Sequence, residues 1–324
     1  MRRPWQIASP TGNRNMNAGK SPVALFTYNR PRLTTRTFNA IRAYGPEILF
    51  IFSDGPKNNS IDQLNVAATR QVCAEINWSC EVIRFQHATN QGCRESISQG
   101  LAKIFDQVQE CIILEDDCLP EPTFFTFCEQ LLNQYRENSL VTCIGGYKPD
   151  LLKSTKETSY YFSKYPCTWG WATWRRAYKN FDPALKSWSV PRDYRWLSEH
   201  LGDEKYARYW AYMFEKAKRG EDYWDYAWSY HCWKQNGLAI RPTQNLIKNI
   251  GFDLDATSTT DSQHPFALTA SEAMRFPIQH PESLRQCDRI DAEIEDLLYS
   301  GMRRRQLSIF HKIGRQRMAN IGHN

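Results

Sequence analysis

The sequence predicts an α/β fold in which a mostly parallel central sheet is flanked by helices. Short apolar segments alternate with longer helical segments over the first 145 residues, as expected for βαβ units. One apolar run, at 111–114, leads directly into three acids, and open α/β sheets hold ligands at the carboxyl ends of their strands. After residue 146 the chain becomes rich in tryptophan and tyrosine, which indicates a second half of different character.

The first strand is predicted for residues 22–28, an apolar run typical of a strand that is buried on both faces. Pro31 suits the first turn of the helix that follows it. The other strands are predicted at Ile48–Ser53, Glu81–Phe85, Cys111–Leu114 and Leu140–Ile144, and the other helices at about Ile61–Ile76, Cys93–Val108 and Glu121–Tyr135.

The charge distribution argues against a nucleic-acid-binding protein, although the 324-residue chain carries a net charge of +6. Residues 1–20 and 301–324 hold ten of the 41 basic residues and none of the 35 acids, so the body between them carries about −4. In the C-terminal tail, Leu307, Phe310 and Ile313 recur near helical period. This pattern is compatible with weak contact to an anionic membrane surface or with a solvated tail.

The sequence also indicates a compartment. No apolar run reaches the roughly twenty residues needed to cross a bilayer, and Met1–Lys20 contains no apolar stretch that resembles a signal peptide. The ten cysteines include no CxxC pair, which favours reduced thiols. We therefore expect a cytoplasmic protein, with the inner face of the membrane as an alternative.

Three acids, Glu115, Asp116 and Asp117, follow the strand predicted at Cys111–Leu114. Carboxylates packed together repel one another, and a divalent cation relieves that repulsion. Ions such as Mg²⁺ are held by one or two carboxylates while substrate phosphates supply further oxygens. The motif is therefore interpreted as a metal site, and the competing interpretation is a solvated acidic turn.

Nine of the eleven tryptophans fall between Trp169 and Trp233. Most are expected in the core, because aromatic side chains dominate core burial. A subset could line a groove for a carbohydrate, since aromatic faces contact sugar C–H surfaces while their N–H and O–H groups remain available for hydrogen bonds.

Together these motifs resemble the GT-A-fold nucleotide-sugar glycosyltransferases, in particular the N-acetylglucosaminyltransferase I branch and its bacterial relatives. The likeness runs from about Val23 to Ile250. Six segments carry it in the family's order: 27–31 (Thr-Tyr-Asn-Arg-Pro), 52–55 (Phe-Ser-Asp-Gly), 114–117 (Leu-Glu-Asp-Asp), 168–171 (Thr-Trp-Gly-Trp), 223–225 (Tyr-Trp-Asp) and 240–242 (Ile-Arg-Pro).

The resemblance implies a GT-A-type sheet and a division of the chain into four parts. Residues 1–20 form a disordered basic tail, 21–146 the nucleotide-sugar-binding half, 147–262 the acceptor-binding and catalytic half, and 263–324 a C-terminal extension with a basic tail.

The resemblance also assigns residues to the nucleotide sugar. Asp54, at the end of the second strand, is expected to hydrogen-bond the base, with Arg30 beside the base or the diphosphate. Thr27 and Arg94 belong to the same pocket. The alternatives are an ordinary Asp-Gly turn for Asp54 and a surface arginine for Arg94.

In the acidic motif, the resemblance assigns the metal, Mn²⁺ or Mg²⁺, to Asp117. It places Glu115 and Asp116 towards the ribose and the donor sugar. Bacterial relatives tend to read Ala-Thr-His-Thr where this chain has Ala-Thr-Ser258-Thr. What replaces that histidine is open, with His264 as one candidate, and the small polar residues nearby predict a lid that orders when the donor binds.

Asp225 is the predicted general base. An alcohol is a very weak acid, so transfer to it needs a base within hydrogen-bond reach, and neighbouring aromatic residues could raise a carboxylate pKa towards a useful value. Glu221 and Asp222 are the reserve candidates. The residues predicted to bind the acceptor are Trp169, Trp171 and Trp224.

The expected activity is metal-dependent, inverting transfer of a sugar, with an N-acetylhexosamine favoured, from a UDP-sugar to a hydroxyl of a glycan or glycolipid during surface polysaccharide synthesis. Inversion follows from a single displacement with one base. A nucleotidyltransferase acting on a sugar phosphate is the second interpretation. A catalytically silent sugar-binding protein is the third, and it is disfavoured because the metal and base positions retain their acids.

Overall fold

The computed structural model describes residues 19–150, 157–252 and 269–298. In chain order its strands are β1 (Val23–Thr27), β2 (Ile48–Ser53), β3 (Glu81–Gln86), β4 (Glu110–Glu115), β5 (Cys118–Pro120), β6 (Val141–Gly145), β7 (Tyr160–Ser163), β8 (Trp171–Trp174), β9 (Leu238–Pro242) and β10 (Ile247–Asn249). Its helices are α1 (Pro31–Tyr44), α2 (Ser60–Val72), α3 (Cys93–Phe105), α4 (Pro122–Gln134), α5 (Arg175–Tyr178), α6 (Val190–Leu201), α7 (Glu204–Lys218) and α8 (Trp224–Lys234).

Eight strands form one sheet in the order β3-β2-β1-β4-β8-β6-β9-β7, and β5 pairs with β10 in a separate ribbon. Strands β1 to β4 run parallel to one another, β8 lies antiparallel between β4 and β6, β9 runs parallel to β6, and β7 is antiparallel at the edge. The predicted α/β fold, with a mostly parallel sheet flanked by helices, is confirmed.

The five strands predicted from the sequence are all present, and their ends lie within one residue of the predicted ends. The helices differ more, because α2 stops at Val72 and α3 at Phe105. For α2 the cause is a tertiary contact: Arg84 of β3 donates to the carbonyls of Cys73 and Ala74 at 3.0 and 3.2 Å. Those bonds satisfy carbonyls that a longer helix would have used.

Strand β1 is buried on both faces, as predicted. Val23 and Leu25 belong to the core that includes residues of α1 and α4, whereas Ala24 and Phe26 belong to the core that includes residues of α3 and α8. This alternation follows from the two-residue period of a strand. The sheet is therefore the middle layer between two sets of helices.

A third core joins α6, α7 and α8 to a helical segment at 288–298. Seven of the nine tryptophans between Trp169 and Trp233 are buried, which confirms the expectation that most of them are core residues. The segment is fastened to β7 by Asp291, which accepts hydrogen bonds from Ser163 Oγ at 2.5 Å and from Lys164 N at 3.1 Å.

The two predicted halves share the central sheet, because β4 of the first half pairs with β8 of the second. The four-part division of the chain stays a prediction. Residues 1–18, the basic tail after residue 298, and Ser258 with His264 lie outside the described residues. Within the described ranges, no helix has both the length and the apolarity required to span a bilayer.

Gly100 allows α3 to approach the sheet closely. Phe26 and Phe52 stack beneath the helix with ring centroids 4.7 Å apart, and Phe52 also stacks on Phe85 at 4.9 Å. A Cβ at position 100 would lie 2.4 Å from Cε1 of Phe26. The stacked neighbours leave that ring little freedom to withdraw.

We expect Gly100→Ala to lower the free energy of unfolding by about 1 kcal/mol. Alanine improves helix propensity by about 1 kcal/mol, but overpacking a core costs about 1–3 kcal/mol, and the crowded rings favour the upper part of that range. Urea denaturation measures the change. In a Phe26→Leu background the same substitution should lose most of its cost, and an unchanged cost there would contradict this explanation.

Candidate active site

The carboxyl ends of β1, β2 and β4 meet at one edge of the sheet, and Asp116 lies at their junction. Its side chain is 2% exposed. It accepts hydrogen bonds from the Arg30 guanidinium and from the backbone N–H of Tyr28 at 3.3 Å, and the Thr37 hydroxyl donates to its carbonyl at 2.9 Å. Asp116 is thus a buried partner of Arg30 and of the β1–α1 loop, and its predicted place towards the ribose and donor sugar stays a prediction.

Burial and charge oppose one another at this junction. Burial raises the pKa of Asp116 to about 6, although the positive charge of Arg30 lowers it. Burial likewise lowers the pKa of Arg30, but the negative charges of Asp116 and Asp117 outweigh it and raise that pKa above its ordinary value. The guanidinium therefore stays charged and holds the β1–α1 loop against the end of β4.

Asp117 lies on the open side of the same guanidinium. Arg30 Nη1 is 3.0 Å from Asp117 Oδ2, and the Asp117 side chain keeps 18% of its surface exposed. The backbone N–H of Ile250 donates to the Asp117 carbonyl at 2.8 Å, and a Cβ on Gly251 would meet Asp117 Oδ2 at 2.4 Å. Only a glycine permits the chain after β10 to pass so close to this carboxylate.

Glu115 and Asp117 have the chemistry of a site for a hard divalent cation. Burial, followed by the negative charge of Asp117, raises the pKa of Glu115 well above its ordinary value, so the two carboxylates are close enough to repel. Oxygen donors of this type suit Mg²⁺ or Mn²⁺ when phosphate and water complete the shell. Across the described ranges, no cluster of three or more histidine, cysteine or acidic side chains could hold a metal by itself.

Asp54, the predicted base-binding residue, is 6% exposed at the end of β2. Its carboxylate accepts the backbone N–H groups of Gln91 and Gly92 at 2.9 and 3.0 Å and the side-chain amide of Asn90 at 2.8 Å. Asp54 thus organises the loop that leads into α3, and its direct contact with a base stays a prediction.

Thr27 has a comparable place at the end of β1. Its hydroxyl lies 3.1 Å from the carbonyl of Phe52 and 2.9 Å from the hydroxyl of Ser53. These contacts join the ends of β1 and β2. Thr27 is only 7% exposed, so it lies beneath the predicted nucleotide pocket.

Asp62 at the start of α2 was not singled out from the sequence. It accepts from the Tyr28 hydroxyl at 2.7 Å and from the Asn29 amide at 2.5 Å. Burial raises its pKa, but hydrogen bonds from Tyr28, from the Lys57 backbone and from Asn29 outweigh burial and lower the pKa overall. The available signal was the capping pattern Asn59-x-x-Asp62, in which the Asn59 side chain accepts from Asp62 N at 2.8 Å.

The first turn of α3 brings two further side chains to this edge. Cys93, which the sequence did not single out either, has its Sγ among the acids, 4.0 Å from Glu115 Oε2. Arg94 donates through its backbone N–H to Asp222 Oδ1 at 2.8 Å and through Nη1 to the Ala217 carbonyl at 3.2 Å. Arg94 therefore contacts the end of α7 and the segment after it, and its predicted contact with the nucleotide stays a prediction.

Asp225 lies in the first turn of α8 and is partly exposed. Burial raises its pKa to about 6, against hydrogen bonds from the backbone N–H groups of Asp225 and Tyr226, and the charge of Asp222 raises it further. Burial and the charges of Glu115, Asp222, Asp225 and Asp117 together raise the pKa of the Cys93 thiol well above its ordinary value. The predicted base and the predicted metal ligand therefore lie on segments that both approach the first turn of α3, where Cys93 Sγ is 4.0 Å from Glu115 and Arg94 N is 2.8 Å from Asp222.

The reserve bases have other partners. Glu221 Oε2 is 2.8 Å from Lys216 Nζ, and Asp222 accepts the backbone N–H of Arg94. Both side chains are exposed, and neither is as desolvated as a tuned base requires. The geometry favours Asp225 among the three.

Two of the three predicted acceptor tryptophans lie in the core. Trp171 is 1% and Trp224 is 6% exposed, and their ring centroids are 6.0 Å apart. Neither offers a face to an acceptor in this structure, because β8 and α8 pack these rings against α3. Trp169 is half-buried, with edge contacts to Tyr147 at 4.7 Å and Phe252 at 5.8 Å.

A cavity of about 530 Å³ lies at the opposite edge of the sheet, lined by residues that include Lys179, Arg192, His231 and Lys234. It is separate from the acidic motif, because Arg175 to Lys179 follow the end of the antiparallel strand β8. We therefore locate the candidate site by the charged groups around the acidic motif and not by this cavity.

No protein-family model matches the chain, and no curated protein matches it in sequence. The solved structures that match the chain include the following two, both weakly similar. UDP-glucose pyrophosphorylase complexed with UDP-glucose is 14% identical, with a TM-score of 0.25, over 44% of this chain and 62% of that one. Apo UDP-glucose pyrophosphorylase is 10% identical, with a TM-score of 0.36, over 70% of this chain and 93% of that one. The resemblance to the N-acetylglucosaminyltransferase I family stays a prediction.

We expect Asp116→Asn to lower the free energy of unfolding by about 2 kcal/mol. Breaking a buried ion pair costs about 3–5 kcal/mol, and the cost is smaller here because Arg30 retains Asp117 as a partner. Thermal and urea denaturation measure the loss. Glu199→Gln removes the exposed pair with Arg195 and should change stability by less than about 0.5 kcal/mol; equal losses in the two variants would contradict the structural role of Asp116.

Proposed function

We propose that the protein is a metal-dependent, inverting glycosyltransferase that moves a sugar from a UDP-sugar to a hydroxyl of a glycan or glycolipid acceptor. One observation carries the proposal: the first turn of α3 contacts both the acidic motif that contains Asp117, through Cys93 Sγ at 4.0 Å from Glu115 Oε2, and the segment that leads to Asp225, through Arg94 N at 2.8 Å from Asp222 Oδ1. Glycosyl transfer needs the metal ligand and the base next to each other.

The donor would lie along the loops after β1, β2 and β4. Asp62 fixes the loop after β1 through Tyr28 and Asn29, and Asp54 fixes the neighbouring loop after β3 through the N–H groups of Gln91 and Gly92. Such preorganisation lowers the entropy lost when a ligand binds. Arg30, next to Asp117, is positioned to place positive charge beside a diphosphate. A cation bound at Asp117 would supply the remaining positive charge for the departing nucleoside diphosphate.

Asp225 would accept the proton of the acceptor hydroxyl as the new glycosidic bond forms. A carboxylate whose pKa is about 6 is largely ionised at neutral pH and is a stronger base than an ordinary aspartate. The half-buried Trp169, with Tyr147 and Phe252 at its edges, provides an apolar wall for the acceptor near the same edge. Attack on the anomeric carbon from the face opposite the leaving group inverts its configuration.

The proposal is tested by the products. Nucleotide sugars that bind the folded protein raise its melting temperature, so a panel screened with Mn²⁺ and Mg²⁺ identifies the donor. The reaction should then release UDP and form a β-linked product from an α-linked donor, as measured by NMR. Release of pyrophosphate would establish the alternative, a nucleotidyltransferase, and retention of configuration would exclude the single displacement.

We expect Asp225→Asn to lower kcat by about 100- to 10,000-fold, the range for a lost general base, while calorimetry shows unchanged UDP affinity. In the wild type, kcat/KM should be constant above about pH 7 and fall as the pH drops through about 6, because protonation of Asp225, whose pKa is raised to about 6 by burial, removes the base. A profile that is flat down to pH 5 would contradict this assignment.

We also expect chelation of divalent cations to abolish transfer and Mn²⁺ or Mg²⁺ to restore it. Asp117→Asn should weaken the metal dependence of UDP binding, measured by calorimetry with and without metal, because an amide is a weaker cation ligand than a carboxylate. The matched control is Asp203→Asn, which alters an exposed carboxylate paired with Lys205. Full activity after exhaustive chelation would exclude the metal.

A further inference from the structure

Helix α3 begins at the candidate site without a capping side chain of its own. The residue before it is Gly92, which has a φ of 85° and no side chain to accept a hydrogen bond. The first N–H groups of a helix lack intrahelical partners. Asp222, from the segment between α7 and α8, supplies the missing acceptor, because its Oδ1 lies 2.8 Å from the backbone N of Arg94.

Arg94 of α3 in turn caps the C-terminal end of α7. The Arg94 guanidinium donates through Nη1 to the Ala217 carbonyl at 3.2 Å, within the last turn of α7. The last carbonyls of a helix also lack partners and carry partial negative charge, so a guanidinium is a suitable cap. Arg94 and Asp222 thus exchange caps between two helices, one in each half of the protein.

These contacts fix the short segment that leads into α8. Gly220 has a φ of 97°, which an alanine would adopt only with strain, and the Arg94 Nη2 lies 3.8 Å from the position of a Cβ there. Lys216 pairs with Glu221 at 2.8 Å. Asp225 follows Asp222 by three residues, so the position of its carboxylate depends on how this segment is held against α3.

We propose that Arg94 and Asp222 are positioning residues, a clamp between α3 and the segment at 217–222 that aligns Asp225 with the donor. This inference rests on the proposed function for the role of Asp225. It replaces two assignments made from the sequence, Arg94 as a nucleotide contact and Asp222 as a reserve base. The clamp joins the loop that Asp54 organises on the donor side to the helix that carries the proposed base.

Within the described ranges, the titratable groups around Asp225 come from three elements. Asp222 and Tyr226 approach it from its own part of the chain, Cys93 from α3 and Glu115 from β4. Of these, Asp222 is the carboxylate that both contributes to the clamp and raises the pKa of Asp225. Substitutions at Asp222 can therefore separate its hydrogen bond from its charge.

The test compares Arg94→Ala, Asp222→Ala and Asp222→Asn with Arg195→Ala, which removes an exposed arginine from α6 as a matched control. Arg94→Ala and Asp222→Ala should lower kcat by about 10- to 100-fold, since a displacement of about 1 Å has effects of this size, while UDP affinity stays within about twofold. Asp222→Asn retains an oxygen acceptor for the Arg94 N–H, so it should recover part of that kcat. Its acid limb should move to lower pH, because a negative charge near Asp225 is lost.

A second readout does not require turnover. Amide hydrogen exchange of residues 218–224 should accelerate in Arg94→Ala and Asp222→Ala and remain unchanged in Arg195→Ala. If the wild type transfers no sugar while this exchange still accelerates, the clamp is present and the proposed function fails. Unchanged exchange overturns the clamp. Weakened UDP binding with intact kcat in Arg94→Ala would return Arg94 to the nucleotide site, and an Asp222→Asn variant as inactive as Asp225→Asn would make Asp222 the base.

Discussion

The candidate site depends on the Arg30 guanidinium, which forms ion pairs with two carboxylates. Asp116 is buried, whereas Asp117 lies on the solvent side. A charge enclosed in this way is costly unless it is compensated, so the β1–α1 loop has one favourable position, against the end of β4. The loop in turn orders Tyr28 and Asn29, which bind Asp62 of the neighbouring helix. The Arg30 side chain thereby fixes the ends of β1, β2 and β4 with respect to one another.

The site has more negative than positive charge. Glu115, Asp117, Asp222 and Asp225 all influence the Cys93 thiol, whereas Arg30 already has two carboxylate partners. Such an excess has two effects, since it attracts small cations and it makes each remaining carboxylate harder to ionise. Asp117, the proposed metal ligand, lies in this acidic surrounding, whereas the raised pKa of Asp225 comes first from burial and only then from the charge of Asp222.

The sequence was most informative where a single rule decides the structure. Strands β1 to β4 could be predicted nearly to the residue, because apolar runs bounded by turn residues are unambiguous and α3 and α4 follow at the expected spacing. The end of α2 could not be predicted, since it depends on Arg84 from a strand that is distant in sequence. Likewise, Asp116 is indistinguishable from its neighbours in the string Glu-Asp-Asp, and only three-dimensional packing separates the enclosed carboxylate from the two more open ones.

The same limit applies to the aromatic residues. Trp169, Trp171 and Trp224 belong to similar motifs, yet Trp171 lies in β8, whose four residues are all buried, and the packing of α8 buries Trp224, whereas Trp169 precedes the strand. Arg94 could not be assigned from the sequence either, because its partners Ala217 and Asp222 are more than 120 residues away. Chemistry-bearing residues were recognisable by type, whereas their division between ligand contact and internal support depended on long-range packing.

The antiparallel insertion of β8 between β4 and β6 has a consequence for how such a protein can change over time. Because β8 is antiparallel to β4 and β6, the segment that precedes β8 lies at the carboxyl edge of β4. Trp169 belongs to this segment. Insertions or deletions in that connection can reshape the surface beside Trp169 without shifting β1, β2 or β4, the strands whose ends hold Arg30 and the acidic motif. The two surfaces are thereby free to diversify independently.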